Sequence, residues 1–292
     1  MKTYFKLFRI AQWIKNFFVF VPLLFSLHLF QENYFITTFR AFITFCLASS
    51  IVYIINDIVD READRAHPEK KNRPIASGAV SIKLALTLAS VLIVLVILLL
   101  FTFNSTFNIA VITFIVLNMF YSFSFKHIVI LDVFSIAAGF SLRVLGGAFA
   151  IDVEISSWLI LTTMFISLFL GVMKRHSELS VSTGSTSNAN TRKVLLDYNI
   201  DFANQMATVA AAGVIICYAL YTVAIRTISV FGTENLIYTT PFVVFGIFRY
   251  MFLVYRFDKG ENTTRIMVTD LPMIFTVISY VVVTVMIIYK IL

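Results

Sequence analysis

Asn56, Asp57, Asp60 and Asp64 form the pattern N-D-x-x-D-x-x-x-D inside IINDIVDREADRAHPEKKNRPIASG, Ile54 to Gly78. The run before them is apolar, so Asn56 and Asp57 fall where a long hydrophobic helix is ending. On a helix Asp57, Asp60 and Asp64 are spaced i, i+3 and i+7 and share one face, with Asn56 at its side. Carboxylates held that close repel one another unless a cation sits among them. Hard oxygen ligands suit Mg2+, which takes one or two protein carboxylates and completes its shell with water and substrate phosphates. The motif therefore points to Mg2+ on Asp57, Asp60 and Asp64, bridging to a diphosphate, with Asn56 as a catalytic or substrate contact. The basic stretch His67, Lys70, Lys71 and Arg73 follows at once, and Arg and Lys are the phosphate binders. His67, before Pro68, reads as structural. The bland alternative is a solvated helix end whose acids pair with Arg61, Arg65, Lys70 and Arg73. Against it stands the depth of the motif, since ionisable groups at a membrane boundary are functional by default.

That membrane is implied by composition. Of 292 residues 59% are hydrophobic and 13% charged, whereas ordinary soluble domains run about half apolar and about a quarter charged. A spanning helix needs about 20 mainly apolar residues. Nine segments qualify: Trp13–Phe30, Phe39–Ile55, Leu84–Phe103, Phe107–Phe125, Val129–Ala150, Ser157–Met173, Phe202–Thr227, Tyr238–Tyr255 and Leu271–Tyr289. The first and sixth are short. The fold class expected is thus an all-α integral membrane bundle of about nine helices, forming one domain over 1–292. Most of the 23 Lys and Arg fall before the first segment and after the second, fourth, sixth and eighth. The positive-inside rule then puts the N-terminus in the cytoplasm and the C-terminus outside, with the acidic motif on the cytoplasmic face.

The net charge of +7 is accounted for by this topology, and nucleic acid is not an expected partner. Cys46 and Cys217 sit in apolar runs and suggest packing, with neither disulfide nor zinc spacing. No removable signal peptide is read at the N-terminus. The Ser/Thr/Asn-rich stretch Ser180–Thr191 reads as a flexible cytoplasmic loop. Asp270, before Leu271-Pro272, reads as a helix start, and Gly146-Gly147 as a place of close helix packing.

The motif at the end of the second helix, followed by RPI-A-SG, resembles the UbiA superfamily of intramembrane transferases, as does the helix count. Members bind a diphosphate through Mg2+ on two Asp-rich motifs. Where the second motif is expected, this chain has LFLGVMKRHSEL, Leu168 to Leu179, with Lys174, Arg175, His176 and Glu178 and no aspartate pair. A Lys-Arg pair binds an anion directly. This substitution is similar to the polyprenyl-phosphate phosphoribosyltransferase branch. AQWIKNFFVFVPLLF (Ala11–Phe25), the stretch Tyr121–Ser156, RKVLLDY (Arg192–Tyr198) and the stretch Thr239–Arg256 resemble that branch too.

The resemblance implies a pentosyltransferase of the bacterial inner membrane. It would move 5-phosphoribose from phosphoribosyl diphosphate (PRPP) to a polyprenyl phosphate and release pyrophosphate. Mg2+ would neutralise the leaving group. The remaining phosphates would need cations, and Lys15, Lys71, Arg73, Lys126, Arg143, Lys174 and Arg175 are the candidates, with Tyr121 beside Lys126 in a Y-S-x-x-x-K pattern. Lys15 could equally be an interfacial anchor beside Trp13, and Arg143 a structural ion pair. Asp132 is a helix cap or a cation's partner. The alternative enzyme is a UbiA-type prenyltransferase, moving a prenyl group from a polyprenyl diphosphate to an aromatic acceptor. An ion transporter would instead place its acids at mid-membrane and show repeat symmetry.

Overall fold

The computed structural model describes residues 2–66, 70–184, 197–257 and 269–291, and within them the regular structure is helical throughout. α1 is Lys2–Leu7; a 3-10 helix, Ile10–Phe20, leads into α2, Val21–Leu24. α3 is Glu32–Val59, α4 Arg61–Ala66, α5 Ile82–Leu100, α6 Ser105–Phe123, α7 Leu131–Ala150 and α8 Ser157–Gly184. α9 is Ile200–Val223, α10 Ile225–Phe231, α11 Thr240–Phe257 and α12 Leu271–Ile288. Eight of these are long and apolar enough to cross a membrane.

The first of the nine expected segments is realised differently, as the short apolar stretch Ile10–Leu24. A 3-10 helix rises about 2.0 Å per residue against about 1.5 Å in an α-helix. Wound this way, the stretch reaches roughly 28 Å, close to the ~30 Å thickness of a hydrocarbon core. The sixth segment is longer than expected, because α8 runs on through Ser180–Gly184, where a loop was expected. The rest of that loop lies outside the described residues, as does His67. The seventh segment breaks at Ala224, whose extended ψ of 135° separates α9 from α10.

Short polar side chains start the helices. Ser81 accepts from the Leu84 amide at 3.2 Å, Asn104 from Phe107 at 2.9 Å, Asn199 from Phe202 at 2.6 Å and Asp270 from Met273 at 3.0 Å. Each satisfies an amide that the first helical turn leaves without a carbonyl. Within lipid no water can take that role.

The chain divides into two compact units. One comprises Met1–Leu23, Gln31–Lys126 and Leu142–Val153; the other comprises Leu24–Phe30, His127–Ser141 and Glu154–Leu292. The first is built on α3, which buries Phe45, Cys46, Ala48, Ile51 and Ile54 against Val19, Ala85, Ala89, Phe107 and Phe114. Gly147 makes this packing possible: a Cβ there would lie 2.1 Å from the Val19 carbonyl oxygen. The neighbouring Gly146 leaves room for the Phe45 ring. In the second unit, α8 and α9 pack through Phe169, Val172, Met173, Ala203, Ala207, Ala210, Ala211 and Val214. The alanines of α9 recur at intervals of three and four, which is one helix face. The opposite pattern marks α5, where Leu86, Val91, Val94, Ile97 and Leu98 are all exposed. An apolar face of this kind on a helix long enough to cross a membrane suits lipid contact.

Candidate active site

The acidic motif sits in the first unit. α3 ends at Val59, Asp60 caps it, and α4 begins at Arg61. The amide of Asp60 still bonds to the Asn56 carbonyl at 2.9 Å, and that of Asp64 to the Asp60 carbonyl at 2.8 Å. The helical spacing of the three acids is therefore kept across the junction. Asp57 is 1% exposed and Asp64 4%; Asp60 is partly exposed.

Each carboxylate meets a cation from elsewhere in the same unit. One terminal nitrogen of Arg73 lies 3.2 Å from Asp57 Oδ1 and 2.6 Å from Asp64 Oδ2, joining the two acids. Lys126, itself buried, lies 2.7 Å from Asp60 Oδ1. Arg9 is ion-paired with the same Asp57 Oδ1 that Arg73 contacts. The other oxygen, Asp57 Oδ2, is buried without a hydrogen-bond partner among the described residues. No three His, Cys, Asp or Glu side chains lie close enough to hold a metal together among those residues. The carboxylates thus form a bridged pair, Asp57 and Asp64, with Asp60 alongside on its own lysine.

The RPI-A-SG stretch explains Arg73. Ser77 N–H donates to the Arg73 carbonyl at 2.9 Å and Val80 N–H to the Pro74 carbonyl at 2.9 Å. Gly78, at φ 79°, lets the chain turn. Ile75 is 1% exposed and anchors the turn, and Arg65 Nε donates to the Ala76 carbonyl at 3.0 Å. The fold-back leaves Arg73 against the acids, while Lys71 is exposed with no ion pair among the described residues.

Behind the motif lies a second polar cluster. Arg143 Nε donates to Asn16 Oδ1 at 2.6 Å, and its guanidinium lies 4.5 Å from the centre of the Phe114 ring. Asn16 also accepts from Ser49 at 3.3 Å and donates to Cys46 Sγ at 3.2 Å. Lys15 is half-buried, and its electrostatic neighbours are Arg143 and Arg9. Cations gathered this way, with Lys15 in no ion pair with a described residue, suit an incoming anion. Asn56 and Tyr121 are half-buried, without a side-chain hydrogen bond among the described residues.

Lys174 and Arg175 belong to the second unit and differ sharply. Arg175 is 1% exposed, 2.9 Å from the fully buried Asp132, and paired also with Glu178. Lys174 is 37% exposed and reaches Glu178 at 4.0 Å. Tyr198 completes the buried group: its hydroxyl donates to Asp132 Oδ1 at 2.9 Å and accepts from the Ile130 amide at 2.8 Å. Burial, with Asp132 beside it, pushes the phenol well above its usual pKa and keeps it protonated to donate.

Two participants escape a reading of the sequence. Arg9 counts there only as topological charge, and no spacing rule ties position 9 to position 57. Asn16 lies inside the Q-W-x-K-N stretch, so its signal was present without an assigned role.

The decaprenyl-phosphate phosphoribosyltransferase of Mycolicibacterium smegmatis is 35% identical over 181 residues, covering 62% of this chain and 56% of that protein. That of Corynebacterium glutamicum is 33% identical over 220 residues, covering 74% of this chain and 66% of that protein. The chain thus matches under two-thirds of each relative's own length. In fold it is similar to a UbiA homolog from Archaeoglobus fulgidus bound to GPP and Mg2+, with a TM-score of 0.72, 16% identity, and coverage of 98% of this chain and 99% of that one. Residues 17–277 match the UbiA prenyltransferase family. With its eight long apolar helices and its acidic motif at the end of α3, this multi-span membrane protein belongs to the UbiA prenyltransferase family.

Proposed function

We propose that the chain, acting as one transferase domain over 1–292, moves 5-phosphoribose from PRPP to a polyprenyl phosphate and releases pyrophosphate. The observation that carries this reading is the relatives' name at 33% and 35% identity. The KRHSE stretch of α8 supports it, because this chain has no aspartate pair where the family's second acidic motif is expected and carries there the partly exposed cation Lys174.

The residues fit a Mg2+ cofactor. Asp57 and Asp64 supply hard oxygens already bridged by one cation, and Asp57 Oδ2 has a buried oxygen to offer. A site with few protein carboxylates is what Mg2+ takes when substrate phosphates complete its shell. Asp57 and Asp64 would hold it, with Asp60 a further proposed ligand once it leaves Lys126, and the ion would neutralise charge on the departing diphosphate. Asn56, half-buried one position before Asp57, is proposed to orient the donor. Arg73 and Lys126 stand next to the carboxylates, where they stabilise charge developing on phosphoryl oxygens. In the reaction the bond from the anomeric carbon to the diphosphate oxygen breaks, and its electron pair leaves with pyrophosphate. A phosphate oxygen of the lipid forms the new bond to that carbon. The nucleophile is already an anion near neutral pH, so no general base is required. Lys15, Arg143, Lys71 and Tyr121 are proposed to bind the remaining phosphates. Lys174 and Arg175 stay in the proposal as anion contacts of α8, with Arg175 reaching an anion only by giving up Asp132 or Glu178.

The bacterial relatives support an inner (cytoplasmic) membrane location, and charge topology supports the N-terminus and the acidic motif on its cytoplasmic side. The test is incubation of purified protein with Mg2+, labelled PRPP and a polyprenyl phosphate. Magnesium-dependent transfer of label to the organic phase is the expected result. Failure there, with transfer from a polyprenyl diphosphate to an aromatic acceptor, would establish the prenyltransferase reading instead.

A further inference from the structure

Arg9 is delivered to Asp57 by the turn that joins α1 to the 3-10 helix. α1 ends at the buried Leu7, and Arg9 then adopts a left-handed backbone with φ 49°. For a residue other than glycine that conformation is unfavourable and persists only where its surroundings impose it. The surroundings here are specific. Ser50 on α3 donates to the Phe8 carbonyl at 2.9 Å and accepts from Trp13 Nε1 at 3.1 Å, so both sides of the turn are tied to the same serine. The Gln12 amide closes the turn on the Arg9 carbonyl at 2.7 Å. The guanidinium lies 4.7 Å from the centre of the Tyr53 ring, one helical turn before Asp57.

The result is an uneven carboxylate. Arg9 and Arg73 both contact Asp57 Oδ1, while Oδ2 is buried with no hydrogen-bond partner among the described residues. Arg9 and Arg73 thus leave Oδ2 available to a further cation, and a buried acceptor left unmade is costly. The side chain of Arg9 also remains 21% exposed, so its guanidinium is not sealed in place.

Resting on the reading above, we propose that Arg9 is an exchangeable counter-ion. It neutralises Asp57 until a divalent cation binds there, and the released guanidinium then takes the phosphoryl oxygens of the diphosphate donor. Arg9 and the metal compete for one carboxylate, whereas Arg9 and the donor cooperate. Asp57 stays compensated in both states, so a buried charge is never left alone. Arginine suits the exchange because its planar fork matches carboxylate and phosphate equally.

The experiment measures Mn2+ binding to the full-length protein in detergent, without donor, by electron paramagnetic resonance. Initial rates of transfer from the diphosphate donor are measured in parallel. In Arg9→Gln, Mn2+ alone is expected to bind about fivefold or more tightly, because a competing cation is gone, while the donor KM rises by a similar factor or more. Arg9→Lys should bind Mn2+ within about twofold of the parent, the coupling being retained with the charge. Its donor KM should fall between those of the parent and Arg9→Gln. Tyr53→Leu, which removes the aromatic seat, should tighten Mn2+ binding in the same direction and decides the matter if Arg9→Gln does not fold. Unchanged or weakened Mn2+ binding in folded Arg9→Gln, or in Tyr53→Leu, would overturn the proposal and make Arg9 a fixed structural partner. The Mn2+ measurement contains no donor, so it stands whether or not PRPP is the substrate. Parent protein that binds no Mn2+ at all would sink the metal reading and this proposal together.

Discussion

At the scale of the residue, Lys174 is 37% exposed and its neighbour Arg175 only 1%. Arg175 compensates Asp132, which has no exposure of its own. Removing one partner of a buried ion pair leaves an uncompensated charge and typically costs about 3–5 kcal/mol. Arg175→Ala should therefore lower the thermal unfolding midpoint in detergent markedly. Lys174→Ala should leave that midpoint within about 0.5 kcal/mol of the parent's stability and raise a substrate KM instead. Equal midpoints for the two variants would contradict the burial difference. Asp60 offers a cleaner chemical test than Asp57, because its carboxylate is partly exposed and pairs with one cation, Lys126, among the described residues. Asp60→Asn is expected to keep the fold and to reduce turnover at least about 100-fold, as loss of a group that stabilises charge in the transition state does. Near-normal turnover in that variant would remove Asp60 from the site.

At the scale of the element, the 3-10 helix Ile10–Phe20 depends on a close approach to its neighbour. Its contact with α7 is set by Gly147, where an added methyl would meet the Val19 carbonyl oxygen at 2.1 Å. Backbone cannot swing aside as a flexible side chain does, so Gly147→Ala should destabilise by about 1–3 kcal/mol. It should also disturb Asn16, which lies on the same 3-10 helix and accepts from Arg143. A thermal midpoint equal to the parent's would show that the contact is softer than this packing implies. The sequence marks Gly146-Gly147 as a place of close approach, yet the partner, a 3-10 carbonyl, has no signature there. Apolar periodicity tells a helix from a strand but does not distinguish 3.0 from 3.6 residues per turn over so short a run. That is why the first segment reads as an ordinary short span. The caps, by contrast, are local chemistry: Asp270 is legible before Leu271-Pro272 because its side chain bonds an amide three residues on.

At the scale of the whole molecule, the alternation of basic loops defines a topology that can be measured directly. The natural cysteines Cys46 and Cys217 are buried, so a cysteine introduced at the exposed Lys71 would be the reactive thiol. In sealed right-side-out vesicles, Lys71→Cys should resist a membrane-impermeant maleimide, and it should be labelled once the vesicles are inverted. Labelling from the outside would reverse the assigned orientation and move the acidic motif to the other face.

The sequence by itself determined the apolar helices, their order, the charge bias of the loops and the helical spacing of Asp57, Asp60 and Asp64. These are properties of composition and of neighbours within about two helical turns, where geometry follows from helical periodicity alone. Only the tertiary structure decided which cation sits on which acid. Arg9 and Asp57 are 48 residues apart, Lys126 and Asp60 are 66 apart, and Arg143 and Asn16 are 127 apart. Charge attracts any opposite charge, so the list of Lys and Arg contains no pairing. The pairing comes from which side chains packing brings together and which of them it removes from water, where the desolvated group must find its partner.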